Sequence, residues 1–237
     1  MTPRTKEVEQ LLATCTVAER RAIFDLLRGE FPIHSIEKTL AAQAEIILEA
    51  ISRSDDLSIR GIRGLIAQGA FAVDVVAQMP AWRDVTQGAN LPYDFLLEDA
   101  RGRVRVQVKM QRQKQHRPMS AREAYKRFSP NMFVTETQRT RGGRDIAGED
   151  TRPYRFGDFD ILAVSMQPST GNWADFMYSV ERWLLPRDDA PHLLLKFQPI
   201  PVQPTDDWTD DFSTCIEWLR SGVDKRVRVN EGALEYR

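Results

Sequence analysis

Residues 103–109 alternate without interruption between polar side chains and valine. This period of two is typical of a half-buried β-strand, because successive side chains of a strand point to opposite faces. Residues 95–97 form an apolar run, and residues 99–102 have the composition of a tight turn that ends in glycine. Residues 92–109 therefore predict two strands joined by a turn, with a glutamine and a lysine on one face near the end of the second strand.

Packing explains the valines of this hairpin but leaves its polar end unexplained. Pro92 and Asp94, followed after twelve residues by Gln107 and Lys109, resemble the motif of the PD-(D/E)XK nuclease superfamily, in the variant with glutamine at the second acidic position. That superfamily includes most type II restriction endonucleases. The resemblance covers the hairpin closely and residues 58–200 loosely. It implies a restriction-endonuclease-like α/β core, in which helices flank a mixed central sheet.

These side chains suit metal-assisted hydrolysis of a phosphodiester. The reaction needs a divalent ion, held by hard oxygen ligands, that polarises the phosphate and lowers the pKa of the attacking water. Asp94 and Gln107 are predicted to be catalytic and to offer oxygens to one Mg²⁺ ion from paired strands. Lys109, on the same strand face as Gln107, is predicted to position the water and to stabilise developing negative charge. An ordinary polar surface hairpin is the alternative interpretation.

Gln107 contributes no charge, so weak metal binding is expected unless another carboxylate takes part. In the superfamily, an acidic residue from a helix before the motif sometimes completes the site. Glu45 and Glu49, four residues apart on one predicted helix face, are candidates, although a solvated helix face also explains them. The helix nearer to the motif offers only Gln68. Asp160 is a further supporting candidate, with a structural role as its alternative.

The charged residues are distributed unevenly, although the net charge is only −1. Residues 101–127 hold ten lysines or arginines and a single acid. A basic block beside the predicted site suits a surface that follows a phosphate backbone. Residues 110–118 are predicted to leave the core as an exposed, extended arm that contacts DNA, with a disordered loop as the alternative. The predicted DNA contacts are Arg105, Gln111, Arg112, Gln113, Lys114, Arg117, Arg139 and Arg141. For Arg139 and Arg141, contact with a symmetry mate and an ordinary solvated strand face are the alternatives.

The remaining patterns predict one nuclease domain over residues 1–237, with a mainly helical part over residues 1–78 that ends in a long helix from residue 57 to about 76. The catalytic core is predicted over residues 79–200, and residues 201–237 are predicted as a C-terminal helix and a loosely held tail. Within the core we expect strands over residues 132–141, 154–166 and 192–197, and a helix over residues 173–184.

The cysteines and the absence of long apolar runs bear on the compartment. Cys15 and Cys215 lie far apart and in no metal-ligand spacing. They argue against a disulfide scaffold or a zinc site and for a reducing compartment. Neither a signal peptide nor a membrane-spanning run is found, so a cytoplasmic protein is expected.

The expected function is Mg²⁺-dependent cleavage of double-stranded DNA by a type II restriction enzyme. Cutting both strands usually needs two sites, which predicts a homodimer. The resemblance also implies a cognate DNA methyltransferase as a partner. A repair or junction-resolving nuclease, a DNA-binding module without catalysis, and an RNA-processing enzyme of the same fold are the alternatives.

Overall fold

The structure, a computed structural model, describes residues 2–31, 34–88, 90–139, 142–143 and 151–230. The chain forms two units, residues 1–59 and residues 60–237. The helices of the first unit are α1 (Pro3–Thr14), α2 (Val17–Glu30), α3 (Ile36–Leu40) and α4 (Ala44–Ser52). None of the helices in the part of the chain that the structure describes is both long enough and apolar enough to span a bilayer.

The first unit is held by an ion-pair cluster and leaves its apolar side chains exposed. Arg28 of α2 lies 2.7 Å from Glu37 of α3 and 3.0 Å from Glu45 of α4. Helices α1, α2 and α4 bury no side chain among their described residues. Twelve large apolar side chains between residues 8 and 57 are at least 45% exposed.

Helix α5 (Asp56–Ala70) leads into the second unit and continues through a π-helical turn (Phe71–Val75) and a 3-10 turn (Val76–Gln78). The prediction of a long helix over this stretch is confirmed, although its last turns are not α-helical. The other helices of the unit are α6 (Ala121–Ala124), α7 (Gln167–Thr170) and α8 (Phe212–Ser221).

A five-stranded mixed sheet forms the centre of the second unit, in the order β1-β2-β3-β7-β8. The predicted hairpin is confirmed, with antiparallel pairing of β2 and β3 that opposes Phe95 to Val106. Strand β7 is the predicted buried strand, and it runs parallel to β3 with Lys109 opposite Val164. The strands of this sheet are β1 (Arg83–Asp84), β2 (Phe95–Asp99), β3 (Gly102–Met110), β7 (Ile161–Ser165) and β8 (Phe176–Val180).

Aromatic packing joins α5 and α8 to one face of this sheet. The Phe71 ring, which directly follows α5, lies 5.2 Å from the ring of Phe95 on β2 and 5.3 Å from that of Phe212 on α8. Val106 and Ile161 share that face and are fully buried. The predicted fold class, a mixed central sheet flanked by helices, is therefore confirmed.

The helix predicted over residues 173–184 is wrong, because Phe176–Val180 forms strand β8, antiparallel to β7. All five of its side chains are buried. A strand that is covered on both faces is apolar throughout and shows no period of two, so its pattern resembles that of a buried helix. The strand formers Phe176, Tyr178 and Val180 were the better indication.

Two further predictions fail around the small sheets. The strand predicted over residues 192–197 is displaced to β9 (Phe197–Ile200), which pairs with β6 (Phe133–Glu136), itself shorter than the strand predicted there. The predicted extended arm folds back as a two-stranded hairpin of β4 (Gln113–Lys114) and β5 (Arg117–Pro118). Gln115 and His116 make its turn with φ of 50° and 62°, the backbone that a two-residue hairpin of right-handed twist requires.

Glu181 is a buried carboxylic acid that follows β8 and is 5% exposed. Its Oε1 accepts a hydrogen bond of 2.6 Å from the N–H of Gly157. Burial raises the pKa of Glu181 to about 7, with the nearby Asp160 adding to the rise. The folded state therefore binds a proton that the unfolded state has lost between about pH 4.5 and pH 7, and stability falls as pH rises through that interval.

We expect the Glu181→Gln variant to remove this dependence, since glutamine keeps the acceptor without the charge. Its Tm should match that of the wild type near pH 5 and exceed it at pH 8, where ionised Glu181 costs at most roughly 3 kcal/mol. Thermal unfolding from pH 5 to pH 8 measures the difference, with Glu217→Gln as an exposed control. Equal Tm values at pH 8 would contradict the assignment.

Candidate active site

Asp94 lies one residue before β2 and is held by the backbone of β3. Its N–H donates to the carbonyl of Val106 at 2.9 Å, which extends the hairpin pairing by one residue. In return, the N–H of Val108 donates to Asp94 Oδ2 at 2.8 Å. The same pairing that forms the hairpin therefore fixes the carboxylate against the second strand.

Two glutamine amides complete the surroundings of this carboxylate. Gln107 Nε2 donates to Asp94 Oδ2 at 2.5 Å, and Gln68 Nε2, from α5, donates to Oδ1 at 2.9 Å. Gln107 is 3% exposed, and its Nε2 also lies 3.2 Å from the carbonyl oxygen of Val108. Both carboxylate oxygens of Asp94 therefore accept hydrogen bonds. The donor to Oδ1 is Gln68, the residue that the sequence offered as the only candidate on the helix nearer to the motif.

Lys109 lies two residues beyond Gln107 on β3, and its Nζ donates to the Tyr154 hydroxyl at 3.1 Å. Burial lowers the pKa of the Lys109 amine, while the charges of Asp94 and Glu136 raise it. Burial also raises the pKa of Asp94, opposed by the charge of Lys109. Burial thus disfavours the charged form of each group, and their mutual attraction restores part of that loss.

The donor atoms around Asp94 fit a hard divalent cation. The Gln107 amide lies between the Asp94 carboxylate and the Val108 carbonyl, both of which are oxygen ligands of the kind that Mg²⁺ uses. Rotating the amide exchanges its nitrogen for its oxygen and adds a third such ligand. No cluster of three or more His, Cys, Asp or Glu side chains suited to a metal occurs in the described ranges.

A cleft of about 260 Å³ lies beside this cluster in the second unit, between α5 and the end of β3. We call it the α5–β3 cleft. Lys109 and Gln68 reach into it from the site, and the Glu136 carboxylate, which sequence reasoning missed, lines it. The residues that line the cleft are Arg60, Gly61, Arg63, Gly64, Leu65, Gln68, Val108, Lys109, Met110, Gln111, Arg112, Gln113 and Glu136.

The predicted DNA contacts Gln111, Arg112 and Gln113 line this cleft. Arg112 also lies 3.6 Å from Glu136. Lys114 and Arg117 instead share the Glu123 carboxylate, at 3.3 and 2.7 Å. Glu123 of α6 therefore neutralises part of the positive charge of the β4–β5 hairpin.

Arg105 and Arg139, two other predicted contacts, are not among the residues that line the α5–β3 cleft. Arg105 precedes Lys109 by four residues on β3, and its Nη2 is 2.7 Å from Asp160 Oδ1. Asp160, predicted as a supporting metal ligand, also accepts the N–H of Arg105 at 2.7 Å. Arg139 lies 3.4 Å from Asp158 and 5.6 Å from the centre of the Tyr154 ring. Arg141 lies outside the described residues.

Glu45 and Glu49, the predicted supporting carboxylates, both belong to the first unit. Glu45 pairs with Arg28 at 3.0 Å, and Glu49 pairs with Arg53 at 2.6 Å. Each already has a cation as its partner. Tyr154, like Glu136, is a site residue that sequence reasoning missed, because it lies 45 positions beyond Lys109 and belongs to no motif.

Comparisons with known proteins add little to this geometry. No protein-family model and no curated protein matches the chain. Among solved structures, it is similar to a bacterial homing endonuclease, I-Ssp6803I, with 18% sequence identity and a TM-score of 0.37. The similarity covers 68% of this chain and 94% of that chain. At this level the similarity identifies neither a family nor an activity.

A divalent ion should stabilise the fold through Asp94. We expect Mn²⁺ or Mg²⁺ in excess over its Kd to raise the Tm of the wild type by a few degrees, because binding to the folded state alone is stabilising. The Asp94→Asn variant should lose that rise, and Asp210→Asn, which changes an exposed carboxylate, should keep it. Differential scanning fluorimetry with and without EDTA measures the effect. An equal rise in Asp94→Asn would place the ion elsewhere.

Proposed function

We propose that this chain is a metal-dependent endonuclease that hydrolyses phosphodiester bonds in double-stranded DNA. The observation that carries the proposal is the meeting of Asp94, Gln107 and Lys109 at one end of the β2–β3 hairpin. Asp94 and Gln107 are in direct contact, and Lys109 lies two residues beyond Gln107 on the same face of β3. A surface hairpin with an ordinary polar face would not bury its carboxylate and its amine together.

The roles follow from the donors that each side chain offers. Asp94 and Gln107 would hold a divalent ion, which when bound supplies charge for the phosphate and lowers the pKa of a water. Lys109 is placed to donate to a phosphate oxygen or to orient the water, with its amine held by Tyr154. Hydrolysis joins the water oxygen to phosphorus and breaks the bond to one ester oxygen. That oxygen leaves with the electron pair and takes up a proton, and the water releases one to solvent.

The α5–β3 cleft supports a nucleic-acid substrate. Arg63 of α5 and Arg112 line it together with Lys109. A Cβ built at Gly61 or Gly64 on the α5 wall would meet no atom within 4 Å, so the described part of the chain does not require glycine there. Small residues beside arginines leave room for a phosphate backbone to approach the helix.

Removing the Lys109 amine should strongly slow DNA cleavage and leave DNA binding nearly unchanged. We expect Lys109→Ala to cut plasmid DNA at least roughly 100-fold more slowly than the wild type, since it removes a donor to the developing charge. Binding measured in EDTA should change little, and Lys225→Ala should behave as the wild type in both assays. A Lys109→Ala variant that cleaves at the wild-type rate would contradict the assigned role.

The class of nuclease is a separate part of the proposal. We propose a sequence-specific type II restriction enzyme, which would be paired with a DNA methyltransferase that protects the host. Digestion of plasmid DNA with Mg²⁺ tests it, because discrete fragments with common ends support site-specific cleavage. Preferred cutting of branched or nicked DNA would identify a repair or junction-resolving enzyme. Cleavage of RNA alone, or DNA binding without cleavage, would replace the proposal altogether.

We also propose that the enzyme acts as a homodimer and that the helices of the first unit meet a second copy of the chain. Cutting both strands needs two sites related by a two-fold axis. Phe24, Leu27 and Phe31 recur at helical spacing at the end of α2 and are each at least 50% exposed. A standard interface buries roughly 800 Å² per partner, and the other exposed apolar side chains of the unit would enlarge this face towards that size.

Charges on that face should separate the copies. We expect the wild type to sediment as a dimer and the Phe24→Lys, Leu27→Lys double variant to sediment as a monomer, because burying two ammonium groups at an interface is unfavourable. Ala22→Lys, on the opposite side of α2, should stay dimeric. Sedimentation equilibrium measures all three. A dimeric double variant would exclude this face, and a monomeric wild type would exclude the dimer.

A further inference from the structure

Gln111 is 1% exposed and lines the α5–β3 cleft just beyond Lys109 on the same stretch of chain. Its N–H donates to the carbonyl of Ser165 at 3.1 Å, so its backbone is anchored to β7. Its side chain is different. Neither Oε1 nor Nε2 has a hydrogen-bond partner among the described residues, although both atoms are buried.

A second buried glutamine shows what a structural role looks like in this fold. Gln198, which is fully buried, accepts the N–H of Leu185 at 2.8 Å. Its Nε2 donates to the carbonyls of Leu185 and Leu195, each at 2.9 Å. Every polar atom of that side chain holds another part of the chain in place. The Gln111 side chain makes no such hydrogen bond to any residue that the structure describes, and native proteins seldom bury an unpaired amide.

The unpaired atoms around the cleft define what a ligand must supply. Gln111 Nε2 is a donor without an acceptor, and so is Arg63 Nε on the α5 wall. A phosphodiester offers acceptors for both. Gln111 Oε1 needs a donor, which a deprotonated phosphate lacks and a water supplies. A phosphate together with a water therefore satisfies all three atoms.

We propose that Gln111 is a positioning residue that orients the attacking water beside Lys109, a role that rests on the proposed nuclease function. Its Oε1 accepts a proton of that water, and its Nε2 donates to an oxygen of the scissile phosphate. Side chains two residues apart on an extended chain are about 7 Å apart at the backbone. A single water fits that interval, because it can donate to Gln111 Oε1 while it accepts a hydrogen bond from Lys109 Nζ.

The test replaces the amide with apolar side chains of similar size. We expect Gln111→Leu and Gln111→Met to slow single-turnover cleavage roughly 10- to 100-fold, the range of a lost positioned polar group. The Kd for DNA in EDTA should stay within about threefold of the wild type. The Tm should hold or rise, because no internal hydrogen bond is lost. Gln198→Leu, the matched control, should instead lower the Tm.

The outcomes separate this role from the proposed function. Wild-type cleavage rates in both Gln111 variants would overturn the assignment and leave the nuclease intact. A Tm lowered as in Gln198→Leu, with cleavage lost only in proportion to folded protein, would make Gln111 structural and would also overturn it. Failure of the wild type to cleave nucleic acid with any divalent ion would overturn the proposed function itself.

Discussion

The hydrogen bond from the N–H of Val108 to the carboxylate of Asp94 is the contact on which the candidate site depends. It joins a side chain before β2 to the backbone of β3, so the two strands cannot slip without losing it. A slip of one residue would also turn Gln107 and Lys109 to the other face of the sheet. Strand register and site geometry are therefore the same property of this chain.

The sheet also determines the electrostatics of the site. Parallel pairing with β7 places Val164 opposite Lys109, and Tyr154 covers the amine from the other side. Ionised groups lose hydration in such a place, which is why the pKa of Asp94 rises and that of Lys109 falls. The attraction between the two charges offsets part of that cost. A divalent ion beside Asp94 would further stabilise the ionised carboxylate.

Sequence reasoning predicted the parts whose signal is local. The β2–β3 hairpin follows from the alternation of valines and from the turn before Gly102, and β7 follows from a short apolar run. The hydrophobic pattern of strand β8 did not distinguish it from a helix, since a strand buried on both faces has no alternation, and only its strand-forming residues favoured the correct assignment. Tyr154 and Glu136 lie outside any motif and reach the site only through the tertiary fold. The hairpin of β4 and β5 was missed because its turn contains Gln115 and His116 instead of the usual glycine or asparagine.

The parallel pairing of β3 with β7 has a consequence for how the molecule is made. Asp94 and Lys109 are fifteen positions apart in sequence and are brought together by closing one hairpin, which costs little chain entropy. The segments that enclose them, Tyr154 and β7, are 45 to 55 positions further on, and such distant contacts are the slow ones in folding. From this topology we expect the acid and the amine to meet while both are still hydrated, and their pKa values to shift only when β7 docks.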